Sequence, residues 1–138
     1  MSILNIFEQS GSGMAAQSLR LNTIASNIAN AESVSADPAE TYRARYPVFQ
    51  TSLQHAMGQN PATGGVSVPG IVESEKPFDL RYEPDHPYAN EEGFVTYPNV
   101  SVVEEMANMI SASRSFQINV EVMNTAKTLA ERVLTLGQ

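Results

Sequence analysis

The side chains that could perform acid–base chemistry in this chain are two pairs of adjacent carboxylates, Glu91-Glu92 and Glu104-Glu105. General acid–base catalysis needs carboxyl groups that converge on one substrate, whereas adjacent residues of a helix do not face each other. Both pairs also occur where acids favour a solvated turn or the start of a helix. The pattern therefore predicts structural carboxylates.

The sequence also contains no pattern typical of a metal site or of a catalytic nucleophile. His55 and His86 lack the spacing of a metal site, and the chain has no cysteine that could supply a thiolate ligand. Serine-nucleophile, phosphate-loop and dinucleotide-binding motifs are also missing. We therefore expect no catalytic residue, no cofactor and no metal, and hence no enzyme.

One segment, Tyr42-Arg43-Ala44-Arg45-Tyr46, interleaves cations with aromatic rings. Such a segment could grip an anion or a sugar polymer, but a strand with alternating faces is the simpler interpretation. We predict Tyr42, Arg43 and Arg45 as a candidate lateral contact.

The charge of the chain restricts its partners. The 138 residues carry a formal net charge of −7, with a sequence pI of about 4.7. Binding to a phosphate backbone needs a basic surface, so we expect no nucleic acid partner. Neither a signal peptide nor an apolar run of membrane-spanning length is visible, so we expect no membrane span, and a chain that is soluble or leaves the cell by a route that reads no such signal.

The prolines divide the chain into three parts, because all eight lie between Pro38 and Pro98. Four short strands are expected between the proline-free ends, at 42–49, 66–73, 78–82 and 94–97. We predict an α+β fold in which long N- and C-terminal helices pair as a coiled-coil core with a small β-rich domain inserted between them. The predicted domains are an N-terminal helix at 1–35, a β-rich insert at 36–99 and a long C-terminal helix at 100–138.

The N-terminal end predicts a helix over about 14–30, with a flexible hinge at 10–13 and Ser12 as N-cap. Arg20 is the only charged residue between Glu8 and Glu32, which indicates a helix buried on several sides. An ordinary amphipathic helix is the alternative. The predicted assembly residues follow a heptad seam and its polar neighbours: Met14, Leu21, Asn22, Ile24, Asn27, Ile28 and Asn30.

The C-terminal end predicts one unbroken helix from the N-cap Ser101 to Leu136. Two apolar stripes on different faces indicate that it meets more than one neighbour, although one stripe could pack on the chain's own central part. The second stripe comprises Val122, Ala126, Leu129, Val133 and Leu136. The predicted assembly residues are Met106, Met109, Ile110, Arg114, Phe116, Val120, Met123, Leu129, Val133, Leu134 and Leu136.

Several segments together resemble the bacterial flagellar axial proteins, which form the rod and hook. At the N-terminal end these are Ser12-Gly13-Met14, Arg20-Leu21-Asn22 and the run from Ala25 to Ala31. Further matches, nearly to the end of the chain, are similar to the proximal rod type: Tyr42-Arg43-Ala44, Thr63-Gly64-Gly65-Val66, Tyr82-Glu83-Pro84, Gly93-Phe94-Val95, Pro98-Asn99-Val100, Ala112-Ser113-Arg114-Ser115-Phe116 and Leu134-Thr135-Leu136-Gly137-Gln138. The connection from Glu32 to Thr41 is longer than in most axial proteins, as in that type.

The resemblance implies a structural subunit of the flagellar basal body, in the rod that crosses the periplasm and transmits torque from motor to hook. Its partners would be copies of itself, other proximal and distal rod proteins, the protein that joins the rod to the MS ring, and the flagellar type III export apparatus. The paired helices would line the axial channel, and the insert would face outward.

Two other functions stay open. Acidity and paired amphipathic helices are also typical of a soluble helical adaptor or export chaperone. A wall-cleaving enzyme that uses Glu104 or Glu105 is the remaining alternative.

Overall fold

The computed structural model describes residues 3–52 and 64–137, and its architecture confirms the predicted α+β class. Two long helices flank a small β region made of two separate two-stranded sheets. His55 lies outside the described residues. In chain order the elements are α1 at Ile3–Ala29, a 3-10 turn at Pro38–Glu40, β1 at Arg45–Ser52, β2 at Gly65–Glu73, β3 at Asp79–Tyr82, β4 at Phe94–Tyr97 and α2 at Val102–Leu136.

Helix α1 starts about eleven residues earlier than its sequence suggests, so the predicted hinge at 10–13 and the N-cap role of Ser12 are wrong. Gly11 and Gly13 lie inside the helix, where α2 approaches closely: a Cβ atom on Gly13 would lie 3.1 Å from the Asn119 amide nitrogen. The Ser12 hydroxyl instead donates to the Gln9 carbonyl and accepts from the backbone N–H of Val66. The glycines thus serve helix packing, which offsets their weak helix propensity.

Helix α2 has the predicted bounds. The Ser101 hydroxyl accepts a hydrogen bond from the backbone N–H of Glu104, which caps the first turn. The 35 residues correspond to about 52 Å at about 1.5 Å per residue. Only three residues of this helix are buried, and they repeat at multiples of seven along one face: Glu105, Ala112 and Ala126.

The two helices pack as an antiparallel pair. Arg20 donates to the Asn108 side chain, and Asn27, further along α1, donates to Glu105 near the start of α2. At the other end of the pair, Gly11 lies against Met123. Small residues at the contact, including Ala16 and Ala112, let the backbones come close and make the centre of this packing.

The antiparallel β1–β2 ribbon lies along α1, with a bulge between Val48 and Gln50. It is fixed to that helix at one end by Asn27 on Arg45, and at the other by Ser12 on Val66. Helix α1 therefore packs on both α2 and the ribbon, whereas α2 packs extensively on α1 alone. In the second sheet, β3 pairs with β4, whose Val95 and Tyr97 are buried.

Among residues 3–52 and 64–137, neither helix combines the length and the apolar character that crossing a bilayer requires.

Candidate assembly interface

Helix α2 carries a row of aliphatic side chains that the described chain leaves largely exposed. We call this row the C-terminal stripe; on the helix surface it adjoins the face that contacts α1. Its members are Ile118, Val122, Leu129, Val133 and Leu136, with exposed fractions from 42% to 87%. Of the second stripe predicted from sequence, only Ala126 is buried. A soluble subunit rarely exposes so many aliphatic side chains in one row, so this face is suited to a protein partner.

The end of α2 is the most exposed part of the stripe. Ile6, in the second turn of α1, lines an apolar groove together with Val122 and Leu129. Beyond that level, residues 131–137 are all exposed, including Leu134 and Leu136 at 72% and 87%. The last two turns of α2 therefore have no partner among the described residues.

The first half of α2 adds a further exposed set on its outer side, formed by Val103, Met106 and Ile110. Arg114 follows on the same side and is exposed too. These residues point away from α1, so a neighbour that covers them would contact α2 from the side opposite to the intramolecular pair.

Helix α1 has an exposed face of a different kind. Its members are small and uncharged: Ala15, Ser18, Asn22, Ala25 and Ala29. We call this row the α1 small-residue face. Short side chains let another helix approach closely, and the absence of charge removes the cost of desolvating ions on contact.

The structure separates the predicted assembly residues into two groups. Those turned inward, buried or half-buried, are Met14, Leu21, Ile24, Asn27, Ile28, Asn30, Met109, Phe116, Val120 and Met123. Those exposed are Asn22, Met106, Ile110, Arg114, Leu129, Val133, Leu134 and Leu136. The second group alone is free in the subunit, so the heptads of the sequence mixed internal packing with outward faces.

A buried polar junction sets the direction in which the β region leaves the helices. Asn27 is fully buried, and its amide oxygen accepts from the Tyr42 hydroxyl at 2.8 Å and the Arg45 backbone N–H at 2.9 Å. Its amide nitrogen donates to the Arg45 carbonyl at 2.9 Å and to Glu105 Oε2 at 3.1 Å. All four hydrogen-bonding positions of one amide are therefore used, which joins α1, α2 and β1.

Asn99 holds the same segment from the other side. Its side-chain oxygen accepts from the backbone N–H of Ala44 at 2.8 Å, and its amide nitrogen donates to the Lys76 carbonyl at 2.8 Å. The Ala44 carbonyl accepts from the Ser74 N–H. Residues 42–44, predicted as the start of a strand, are thus fixed by two asparagine side chains before β1 begins at Arg45. No pattern in the sequence pointed to Asn99 in this role, and the heptad pattern placed Asn27 among the predicted assembly residues.

Tyr46 borders the junction and contacts its buried carboxylate. Burial raises the pKa of Tyr46 above the ordinary tyrosine value of 10.0, and the neighbouring charges of Glu105 and Glu104 and a hydrogen bond to Glu105 raise this pKa further. The Tyr46 hydroxyl donates to the Glu105 carboxylate. That second donor, with Asn27, compensates a carboxylate that is only 1% exposed.

The three residues predicted as a lateral contact lie beside the junction. The Tyr42 hydroxyl bonds Asn27, the Arg43 guanidinium lies 4.3 Å from the centre of the Phe78 ring, and Arg45 pairs with Glu73 at 3.2 Å. All three also line one polar recess. In the part of the chain that the structure describes, no group of three acidic or histidine side chains could hold a metal ion.

Two family models match the ends of the chain. Residues 7–34 match the model of the flagella basal body rod protein, and residues 91–136 match the model of the flagellar basal body rod FlgEFG protein C-terminal region. These two matches cover most of α1 and all of α2.

Similar proteins span the whole chain. The flagellar basal-body rod protein FlgC of Salmonella typhimurium is 53% identical over 138 residues, which is 100% of both chains. The protein with the same name from Escherichia coli O157:H7 is 51% identical over the same length. That of Aquifex aeolicus is 39% identical over 132 residues, covering 96% of this chain and 95% of its own.

Proposed function

This chain belongs to the family of flagellar basal-body rod proteins FlgC and is a structural subunit of that rod, and we propose that it assembles helically through the outer faces of its two helices. In this proposal the rod is a channel-lined drive shaft that transmits torque from motor to hook. The relatives lend no support to the alternative, a soluble adaptor or export chaperone.

The observation that carries the proposal is the uncovered C-terminal stripe. Complete burial of one aliphatic side chain contributes roughly 1.5–3 kcal/mol, so five of them offer a neighbour a large apolar surface. Their spacing of three, four and seven residues is that of a helix–helix seam. We propose that a helix of an adjacent subunit packs on this stripe.

The α1 small-residue face offers a matching surface. Aliphatic side chains of one subunit can pack between the short side chains of Ala15, Ala25 and Ala29 on the next. The two surfaces differ, so such a contact is heterologous, and repeated heterologous contacts that do not close produce a helical array. The ends 1–35 and 100–138 each carry a net charge of only about −1, which permits this stacking.

The buried junction supports a mechanical role. Asn27 bonds Tyr42, Arg45 and Glu105, and Asn99 bonds Ala44, Ser74 and Lys76, through seven hydrogen bonds in total. We propose that the helices at 1–35 and 100–138 form the axial core, that the insert at 36–99 faces outward, and that load passes between them at this junction. Many small contacts share such a load better than one strong bond.

Several finer points belong to the same proposal. We propose that the protein has no catalytic role and that it is exported through the flagellar type III apparatus without a cleaved signal peptide. Its place is the periplasm-spanning rod, and its neighbours are proximal and distal rod proteins and the protein that joins the rod to the MS ring. Membership of the rod family and the outward faces of α2 support these points.

The test places a charge in the stripe. Val133→Glu and Leu136→Glu change side chains that are 61% and 87% exposed and lie beyond the groove lined by Ile6, so the isolated subunit should unfold at an unchanged temperature. In cells that carry only the variant, we expect no rods in purified basal bodies and no motility, since a charge would be buried between subunits.

The matched control is Lys127→Gln, which shifts the charge by the same −1 at an exposed position of the same helix, off the stripe and off the outer set that includes Ile110. We expect normal rods for this variant. Normal rods in both stripe variants would show that the stripe is not a subunit contact.

A further inference from the structure

The polar recess beside the junction is large enough to hold a small ligand. It has a volume of about 500 Å³ and lies between the end of α1, the 3-10 turn and the end of β2. The side chains that matter are Ser33, Glu40, Tyr42, Arg43, Arg45 and Glu73. This volume falls within the range of small-molecule pockets, although the lining is far more polar than that of a site for an apolar ligand.

The walls of the recess are held in place before any ligand arrives. Tyr42 is fixed through its hydroxyl to Asn27, and one terminal nitrogen of Arg43 donates to the Ser74 carbonyl at 3.1 Å. Arg45 pairs with Glu73, and its guanidinium lies 5.3 Å from the centre of the Tyr42 ring. Binding would therefore require little ordering of these side chains, which is a condition for measurable affinity.

Both donors and acceptors remain available in the recess. Arg43 and Arg45 each have further N–H groups, and the Glu40 carboxylate has no hydrogen bond or ion pair within the described residues. The second oxygen of Glu73 is likewise unpaired within that part of the chain. A ligand hydroxyl both donates and accepts, so a hydroxyl-rich molecule can use both kinds of group.

Charge decides the class of the ligand. Two carboxylates and two guanidinium groups line the recess, so their formal charges cancel. A polyanion meets Glu40 and Glu73, and a polycation meets Arg43 and Arg45, so neither gains from the recess as a whole. We propose that this recess binds a neutral saccharide, with the Tyr42 ring providing an apolar surface for the C–H groups of a sugar.

The experiment is a titration of the full-length protein, followed by amide chemical shifts, with three trisaccharides that differ in charge. They are neutral triacetylchitotriose, its cationic deacetylated form chitotriose, and anionic trigalacturonate. We expect the neutral sugar to shift the signals of residues 33–45 and of Glu73, with an affinity about tenfold higher than that of either charged sugar.

A matched pair of variants locates the site. Glu73→Gln breaks the Arg45 pair in the recess, whereas Asp79→Asn breaks the equivalent exposed pair of Arg81 beside Tyr97, outside the recess. We expect about tenfold weaker binding in the first variant and unchanged binding in the second. The proposal is overturned if no shift appears at the recess, if a charged sugar binds as tightly as the neutral one, or if Asp79→Asn weakens binding equally.

Discussion

The two long helices contact each other along most of α1, yet they occupy opposite situations in the subunit. Helix α1 packs on α2 and on the β1–β2 ribbon, and buries Ala16, Thr23, Ile24 and Asn27. Helix α2 packs extensively on α1 alone and exposes aliphatic side chains along its length. Helix α1 therefore mainly stabilises the subunit, whereas α2 uses one face for the subunit's own packing and leaves its other faces for neighbouring subunits.

The largest loss of subunit stability is expected for a substitution on α1 at the buried junction. Asn27→Ala removes four hydrogen bonds and leaves the Glu105 carboxylate, the Arg45 backbone and the Tyr42 hydroxyl without this partner. We expect a loss of about 4 kcal/mol in the free energy of unfolding, because several buried polar groups are left unpaired.

Urea unfolding followed by circular dichroism measures this loss. The control is Asn22→Ala, which truncates an exposed asparagine of the same helix and should change stability by less than about 0.5 kcal/mol. Equal stability of the two variants would show that the junction does not stabilise the subunit.

A second test makes the same substitution, Ile→Ala, once on α1 and once on α2, in two separate variants. Ile24 on α1 is 4% exposed and Ile110 on α2 is 72% exposed. We expect Ile24→Ala to cost about 3 kcal/mol of subunit stability, because it leaves a cavity, and Ile110→Ala to cost less than about 0.5 kcal/mol.

Thermal unfolding of the isolated subunit compares the stabilities of the two variants. Motility of cells that carry each variant is the second measurement. If the outer side of α2 contacts a neighbouring subunit, Ile110→Ala should impair assembly although the subunit stays stable. A large loss of subunit stability in Ile110→Ala would contradict the division between the helices.

The smallest effect concerns pH. Burial raises the pKa of Tyr46 in the folded state above the ordinary tyrosine value of 10.0, so the folded state keeps this proton at pH values where the unfolded chain releases it. The contribution of Tyr46 to stability is therefore complete below about pH 10 and is lost as the pH rises through the higher folded value.

Tyr46→Phe removes both the ionisable group and the bond to Glu105. We expect this variant to lose about 1 kcal/mol at neutral pH and to show a weaker fall in stability in alkali than the parent chain. Unfolding free energies measured from pH 7 to pH 11 test this expectation, with exposed Tyr82→Phe as the control. Parallel alkaline profiles for Tyr46→Phe and the parent chain would contradict the pKa argument.

Local signals in the sequence predicted much of the fold. Ser101 and the absence of proline after Pro98 gave both ends of α2, because capping and helix propensity act within a few residues. Strand β4 matches its prediction, and β2 and β3 differ from theirs by one residue at the start. The start of α1 was missed because Gly11 and Gly13 favour a break locally, and only the packing of α2 explains them.

The assembly interface could be predicted less completely from local sequence patterns. Apolar spacing identified which α2 residues face a helix, but it could not tell the subunit's own helix from a neighbour's, since both contacts use the same heptad geometry. Phe116 and Met109 turned inward, while Ile110 and Leu134 turned outward.

Composition, short-range periodicity and motifs were sufficient to predict the α+β class, the bounds of α2, the low charge of both ends and the resemblance to a rod subunit. Only the tertiary structure decided that Asn27 is internal, since its partners Arg45 and Glu105 are 18 and 78 residues away along the chain. It also decided which apolar rows stay exposed. Burial depends on which surfaces meet in space, and periodicity along one helix does not contain that information.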